Sequence, residues 1–167
     1  ETAFLSVHNS LVRAIDGGRV SVLVLLDLSA AFDTVDHSIL LSVLASRFSL
    51  TDAALSWFRS YLSDRAQSFV YADSQTSSFA VDCGVPQGSV LGPLVFTAYT
   101  EDITELLANY NIKYHLYADD IQLYTDCPIE EIDAVRKRIS DCVAEIMSWC
   151  ASRRFFFEHL LSTKQNN

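Results

Sequence analysis

The chain has 167 residues, half of them hydrophobic and a fifth charged, which suits one folded domain with a core and excludes a disordered or low-complexity protein. Its net charge of -9, from 21 acids against 12 bases, argues against a free-standing nucleic-acid binder, which needs clustered Lys and Arg. No apolar run approaches the roughly 20 residues of a membrane span, and no secretory leader opens the chain. It starts at Glu1 and its single Met is Met147, as expected of a piece of a longer protein.

Residues 1–16 predict a helix, with Ala3, Phe4, Val7, Leu11, Ala14 and Ile15 at helical spacing and Gly17-Gly18 as the stop. The aliphatic run 20–27 then predicts a strand covered on both faces, as at the centre of a sheet. Buried strands do not normally run into an acid, yet this one ends on Asp27. Asp36 and Thr51 are placed to cap helices running to about Phe48 and Leu62. Residues 67–72 and 79–83 flank the turn-rich 73–78 and predict a hairpin.

A loop by composition follows at 84–89, opening one helix to about Ala108 with Gly92-Pro93 in its first turn. Residues 112–118 and 121–125 predict two strands separated by Asp119-Asp120, and 129–149 an amphipathic helix. Its expected apolar side holds Ile132, Val135, Ile139, Val143, Ile146 and Met147. No repeat or linker divides the chain, so the class is α+β around one sheet.

The chemistry concentrates in the acids. No Lys or Arg lies between Arg65 and Lys113, while bases gather at Arg136, Lys137, Arg138, Arg153 and Arg154. An Asp-Asp pair is usually a solvated turn. Here it sits at the tip of an apolar hairpin, where like charges repel and resist burial unless a cation neutralises them. Asn-Gly or Asp-Gly would make an easier turn. If the Asp27 strand neighbours that hairpin, Asp27, Asp119 and Asp120 converge at one sheet edge. Such carboxylates suit Mg²⁺, which keeps waters and accepts substrate phosphates, and two such ions can stabilise both oxygens of a phosphoryl transfer.

These residues resemble the reverse transcriptases of LINE-type (non-long-terminal-repeat) retroelements, over about residues 1–154. LDLSAAFDTVDH at 26–37 resembles motif A, GVPQGSVLGPL at 84–94 motif B, and YADD at 117–120 motif C. The resemblance implies an RNA-directed DNA polymerase working with two Mg²⁺ ions, or Mn²⁺ as a substitute. An RNA template, a DNA primer and a dNTP would be the partners of the intact enzyme, in the nucleus or cytoplasm. It further implies that Asp27 and Asp119 ligate the metals, that Asp120 completes the acidic site and that the Leu28 carbonyl adds a ligand. Phe32 would crowd the sugar 2′ position and favour deoxynucleotides, although a core Phe is an equal reading without the family. Gln87 and Gly88 would contact nucleotide and template beside a helix N-terminus that favours phosphate. Asp33 is read as structural.

The implied architecture is a polymerase palm-like antiparallel sheet packed with helices, with partial fingers and no thumb, followed by a divergent tail at 155–167. Only 26 residues precede Asp27, with Arg13 and Arg19 their sole bases. The tail reads FFFEHLLSTK at 155–164 where the family commonly has a leucine-asparagine segment and a Lys-Thr-Glu; Lys164 does not match the family's lysine. Weak nucleic-acid binding and little processive synthesis are expected of this chain alone. The rival is a catalytically inert relic or protein-binding fragment. A different palm-type nucleotidyl transferase or cyclase would leave the motif B loop unexplained.

Elsewhere the expectations are plain. The four histidines (His8, His37, His115, His159) show no catalytic spacing. Cys83, Cys127, Cys142 and Cys150 form no C-x-x-C pair and are expected as reduced thiols rather than zinc ligands. Trp57, Phe58 and Tyr61 are expected in the core rather than as a base-stacking platform, and 136–138 as a solvated basic face.

Overall fold

The computed structural model describes residues 2–86 and 88–157. In chain order the elements are α1 (Thr2–Asp16), β1 (Val20–Ser29), α2 (His37–Ser46), α3 (Asp52–Leu62), β2 (Ala66–Gln67), β3 (Val70–Tyr71), β4 (Ser74–Gln75) and β5 (Phe79–Ala80). They continue with α4 (Gly92–Thr100), α5 (Ile103–Ala108), β6 (Lys113–Tyr117), β7 (Asp120–Cys127), α6 (Ile132–Ser152) and β8 (Phe156–Phe157). These elements form two compact units. One comprises Glu1–Ser29, Asp102–Ser152 and Phe156–Asn167; the other comprises Ala30–Glu101 and Arg153–Phe155.

The first unit is built on a sheet of order β6-β7-β1-β8. β1 runs antiparallel to β7 from Val20 opposite Cys127 to Asp27 opposite Asp120. Side chains alternate across the sheet. Leu28, Ile121 and Leu123 are buried on one face, while Leu23, Leu25, Asp27 and Asp120 are exposed on the other. The expected strand covered on both faces is therefore corrected: Leu25 is 62% exposed. An antiparallel sheet can leave one face to solvent, and an apolar run does not reveal which kind of sheet it joins.

Helix α1 packs against β1 and β7, and α6 against α5 and β8. Of the expected α1 stripe, Val7 and Ala14 are buried, while Phe4 and Ile15 are exposed. In α6 the buried stripe is Val135, Ile139, Cys142, Ile146 and Cys150, with Met147 exposed. Two cysteines thus take places expected of aliphatic side chains, as small buried hydrophobes. Burial pushes the Cys142 thiol up to about 11 and the Cys150 thiol up to about 12, which keeps both protonated and unreactive at neutral pH.

In the second unit Asp36 caps α2, its Oδ1 accepting the Ile39 N–H at 2.9 Å. Thr51 stands at the α3 cap position without a side-chain cap bond. The single hairpin expected after α3 is instead two nested ladders. β2 pairs with β5, and inside them β3 pairs with β4 around Ala72-Asp73. Part of the polar stretch expected as loop, Ser74–Gln75, is therefore strand. Trp57 is 52% exposed and stacks on Tyr61, which Arg65 overlies. The core reading of Trp57 is thereby overturned. These rings satisfy one another along the surface of α3.

The long helix expected after the loop is also broken, into α4 and α5. Thr97 and Thr100 turn their hydroxyls back onto the carbonyls of Pro93 and Phe96, bonds that bend and weaken a helix. Pro93 lies in the first turn of α4, as expected.

Candidate active site

Asp27, Asp119 and Asp120 all belong to the sheet unit. Residues opposite one another in an antiparallel pair share a face, so the register sets the Asp27 and Asp120 side chains side by side on the open face. Tyr117 pairs with Asp120 from β6. Asp119 is half-buried in the two-residue turn Ala118-Asp119 that joins β6 to β7. Ala118 holds φ 51 there, a left-handed conformation that this kind of turn normally assigns to Gly or Asn. Like charges directly opposite in a sheet are destabilising. Among the described residues no Lys or Arg makes an ion pair with any of the three aspartates.

This donor set bears on what cation it fits. Among the described residues no three His, Cys, Asp or Glu side chains are gathered into a ready-made metal cage. The expected convergence of Asp27, Asp119 and Asp120 is therefore met only in part: Asp27 and Asp120 face one another, and Asp119 stands in the adjoining turn. The facing carboxylates of Asp27 and Asp120 are hard oxygen donors, the kind that divalent cations take together with water and substrate phosphates. The Leu28 side chain is buried on the opposite face, and its backbone position pairs with Phe157.

Phe32 and Gly88 lie in the second unit; Gln87 lies outside the described residues. Phe32 sits in a 3-10 turn, Ala31–Asp33, entered through Ala30 at φ 50. Its carbonyl accepts the Val85 N–H at 2.8 Å, and the Val35 carbonyl accepts the Gly84 N–H at 2.8 Å. His37 Nε2 bonds the Gly84 carbonyl at 2.8 Å, and Asp36 bridges to Cys83. The turn after β1 and the loop before α4 are thus laced together by backbone.

Gly84 explains itself at this seam. It holds φ +84, and a Cβ there would lie 2.9 Å from the Asp33 carbonyl oxygen. Gly88 also has positive φ, +74, but a Cβ there would meet nothing within 4 Å. Ser89 Oγ accepts the Gly92 N–H at 2.9 Å and fixes the loop to the start of α4.

Several supporting residues escaped the sequence reading. Phe96 stacks on Phe32 with centroids 4.4 Å apart. Phe155 is buried, with its ring against Phe96 and Tyr99. Burial raises the Tyr99 phenol above its ordinary value, keeping it the donor of a 2.8 Å bond to the Arg153 carbonyl. Arg154 pairs with Asp36 at 2.9 Å. The available signal was the FFF run at 155–157 and the apolar residues Phe96 and Tyr99 at helical spacing, which mark packing but name no partner.

Residues 6–159 match the model of the family described as reverse transcriptase (RNA-dependent DNA polymerase). Among curated proteins, the chain is 29% identical over 153 residues to the RNA-directed DNA polymerase from mobile element jockey of Drosophila funebris, covering 87% of this chain and 16% of that protein. It is 29% identical over 152 residues to the probable RNA-directed DNA polymerase from transposon BS of Drosophila melanogaster, covering 84% and 16%. The chain therefore spans about a sixth of the length of these relatives.

Among solved structures the fold is similar to apo telomerase from Candida tropicalis truncated from its C-terminal domain. The TM-score is 0.63 at 13% identity, covering 99% of this chain and 35% of that one. Telomerase from Candida albicans, in complex with a fragment of telomeric RNA, gives 0.59 at 15% identity, covering 96% and 31%. At such identities the likeness is one of fold, a mixture of helices and antiparallel sheet. The family match over nearly the whole described chain carries the assignment, and the expected LINE character agrees with the two mobile-element relatives. The chain belongs to the reverse transcriptase (RNA-dependent DNA polymerase) family, as a partial, LINE-type reverse transcriptase domain.

Proposed function

We propose that this chain is the palm segment, with part of the fingers, of an RNA-directed DNA polymerase. It would transfer a nucleotide from a dNTP to the 3′-hydroxyl of a DNA primer on an RNA template. The observation that carries the reading is the facing of Asp27 and Asp120, with Asp119 in the adjoining turn and no Lys or Arg among the described residues paired with any of them. Asp27, Asp119 and Asp120 would hold divalent metal, taken as Mg²⁺ with Mn²⁺ as substitute, and the Leu28 carbonyl would complete the protein ligands. The metal, when bound, supplies positive charge that favours the primer alkoxide and balances the triphosphate.

The chain's own residues position the reactants. The aspartates serve as ligands through their carboxylate oxygens and not as nucleophiles. Phe32 excludes a sugar 2′-hydroxyl by contact. Gly88, with open space where a Cβ would stand, lets a nucleotide approach the backbone, and Gln87 would bond the nucleotide or template. Pyrophosphate leaves opposite the attacking oxygen, so no side chain forms a covalent intermediate. With 21 acids against 12 bases, the grip on template and primer comes from elsewhere in the full polymerase, and this chain alone binds nucleic acid weakly.

The test is a Mn²⁺ titration of the purified, folded chain followed by electron paramagnetic resonance, beside Asp119→Asn. Saturable binding in the parent that is lost in the variant is the expected outcome. Equal, unsaturable binding in both would remove the metal-site reading.

A further inference from the structure

We propose that Phe96, seated on Phe155, is the positioning residue that holds the Phe32 ring in place, so that sugar selection depends on a three-ring column rather than on Phe32 alone. The inference rests on the reading of Phe32 as the residue that excludes a 2′-hydroxyl, and it extends that reading to residues that need not touch the nucleotide.

The column is explicit within the second unit. Phe32 and Phe96 lie nearly parallel, with centroids 4.4 Å apart and planes at 21°. Among the described residues Phe96 is the one aromatic ring on Phe32. Phe32 is half-exposed, so one side of its ring is backed and part remains free. Phe96 is only 2% exposed. Below it the Phe155 ring lies at 5.9 Å, and Tyr99 meets Phe155 edge-on at 5.5 Å and 88°. The base is tied down by the Tyr99 hydroxyl, which donates to the Arg153 carbonyl at 2.8 Å and accepts the Asp36 N–H at 3.4 Å.

The physical reason is that exclusion by contact works only if the excluding group cannot move. A Phe side chain retreats through two soft torsions, and a small rotation of its ring would admit one oxygen. The turn bearing Phe32 is fixed by its carbonyl bond to the Val85 N–H, which holds the backbone but leaves the ring torsions free. The flat face of Phe96 removes that freedom, because offset-stacked rings favour one mutual orientation. Close packing beneath Phe96 then prevents the pair from receding together. A column ending in Phe155 also gives the aromatic start of the 155–164 segment a role, at a place where the sequence departs from the family pattern.

The experiment uses the full polymerase that carries this domain and compares incorporation of a dNTP with that of the matching rNTP, as a ratio of kcat/KM values. Phe32→Val is expected to raise relative ribonucleotide use by about 100-fold, the scale of discrimination available to a contact against one added hydroxyl. Phe96→Leu, which keeps apolar bulk but loses the flat face, is expected to raise it by about 10-fold, a fraction of the same contact. The Phe32→Val/Phe96→Leu double variant should equal Phe32→Val, since there is no ring left to hold. Phe155→Leu, remote from the nucleotide, should shift the ratio in the same direction, so that the proposal stays testable if Phe96→Leu folds poorly.

A structural role alone would lower dNTP and rNTP use together and leave the ratio fixed. If Phe32→Val changes the ratio while Phe96→Leu and Phe155→Leu leave it at the parent value, the column is overturned and the reading of Phe32 stands. If Phe32→Val leaves the ratio unchanged, the reading of Phe32 falls first and takes the column with it.

Discussion

The two ends of the β1–β7 ladder both carry acid, and they treat it differently. At one end Asp126, opposite Ser21, accepts a 2.5 Å bond from Arg19 Nε and lies 3.7 Å from Lys113 Nζ. At the other end Asp27 faces Asp120, and neither has a cation among the described residues. The strands, the register and the open solvent are shared. What differs is that the fold neutralises one acidic end from its own side chains and leaves two like charges facing each other at the other. The first is a surface ion pair, modest in stability. The second is a local cost that no Lys or Arg among the described residues offsets, and it is the feature on which the proposed metal site rests.

The largest test of that contrast is activity. In the full polymerase, Asp27→Asn is expected to lower nucleotide transfer by about 1000-fold, the scale of losing a main electrostatic support of a transition state. Asp126→Asn should leave it within about twofold, since surface charges away from a reacting centre have small effects. Single-turnover primer extension measures both. Comparable losses at the two ends would erase the distinction between them.

A second contrast lies within the loop before α4. Gly84→Ala is expected to destabilise the chain by about 3 kcal/mol, because the Cβ would enter the Asp33 backbone at 2.9 Å at a residue held at φ +84. Gly88→Ala should cost about 1 kcal/mol, the left-handed backbone penalty alone, since nothing lies within 4 Å of its Cβ. Urea unfolding of both variants ranks them. The same Gly88→Ala change should impair nucleotide use more than its stability cost explains, whereas Gly84→Ala should impair both in proportion.

Much of this was legible in the sequence because it depends on short-range chemistry. The Asp36 cap, Pro93 in the first turn of α4 and the two strands meeting at Asp119-Asp120 each follow from a few neighbouring residues. The acidic motifs were legible as motifs, but the pairing of Asp27 with Asp120 is a register between segments over 90 residues apart, and local patterning does not set it. The open face of β1 was hidden because Leu23 and Leu25 read the same whether covered or exposed. The cysteines of α6 were hidden for a different reason: Cys142 and Cys150 draw attention for their thiol chemistry, yet they pack as small apolar side chains. Phe96 and Phe155 were ordinary apolar residues until the structure placed their rings in one column with Phe32.

The smallest effect is the most diagnostic, because its sign differs between the two ends of the ladder. In metal-free buffer, Asp120→Asn removes one of two charges that repel across the sheet, and it should stabilise the chain by about 0.5 kcal/mol, the scale of a cross-strand charge pair. Asp126→Asn removes the acceptor of Arg19 and Lys113 and should destabilise by about 0.5 kcal/mol, as for a part-exposed ion pair. Both differences should shrink in about 1 M salt, where screening acts over about 3 Å. Urea unfolding with a chelator present resolves the signs. Mn²⁺ then supplies the reversal: a ligand at about 100 times its dissociation constant adds about 2.7 kcal/mol to whatever binds it, so the parent should overtake Asp120→Asn while Asp126→Asn gains as the parent does. Should Asp120→Asn instead destabilise the metal-free chain, the facing carboxylates would be bound into the fold by contacts of their own, and the sheet would have two structural ends rather than one structural end and one site.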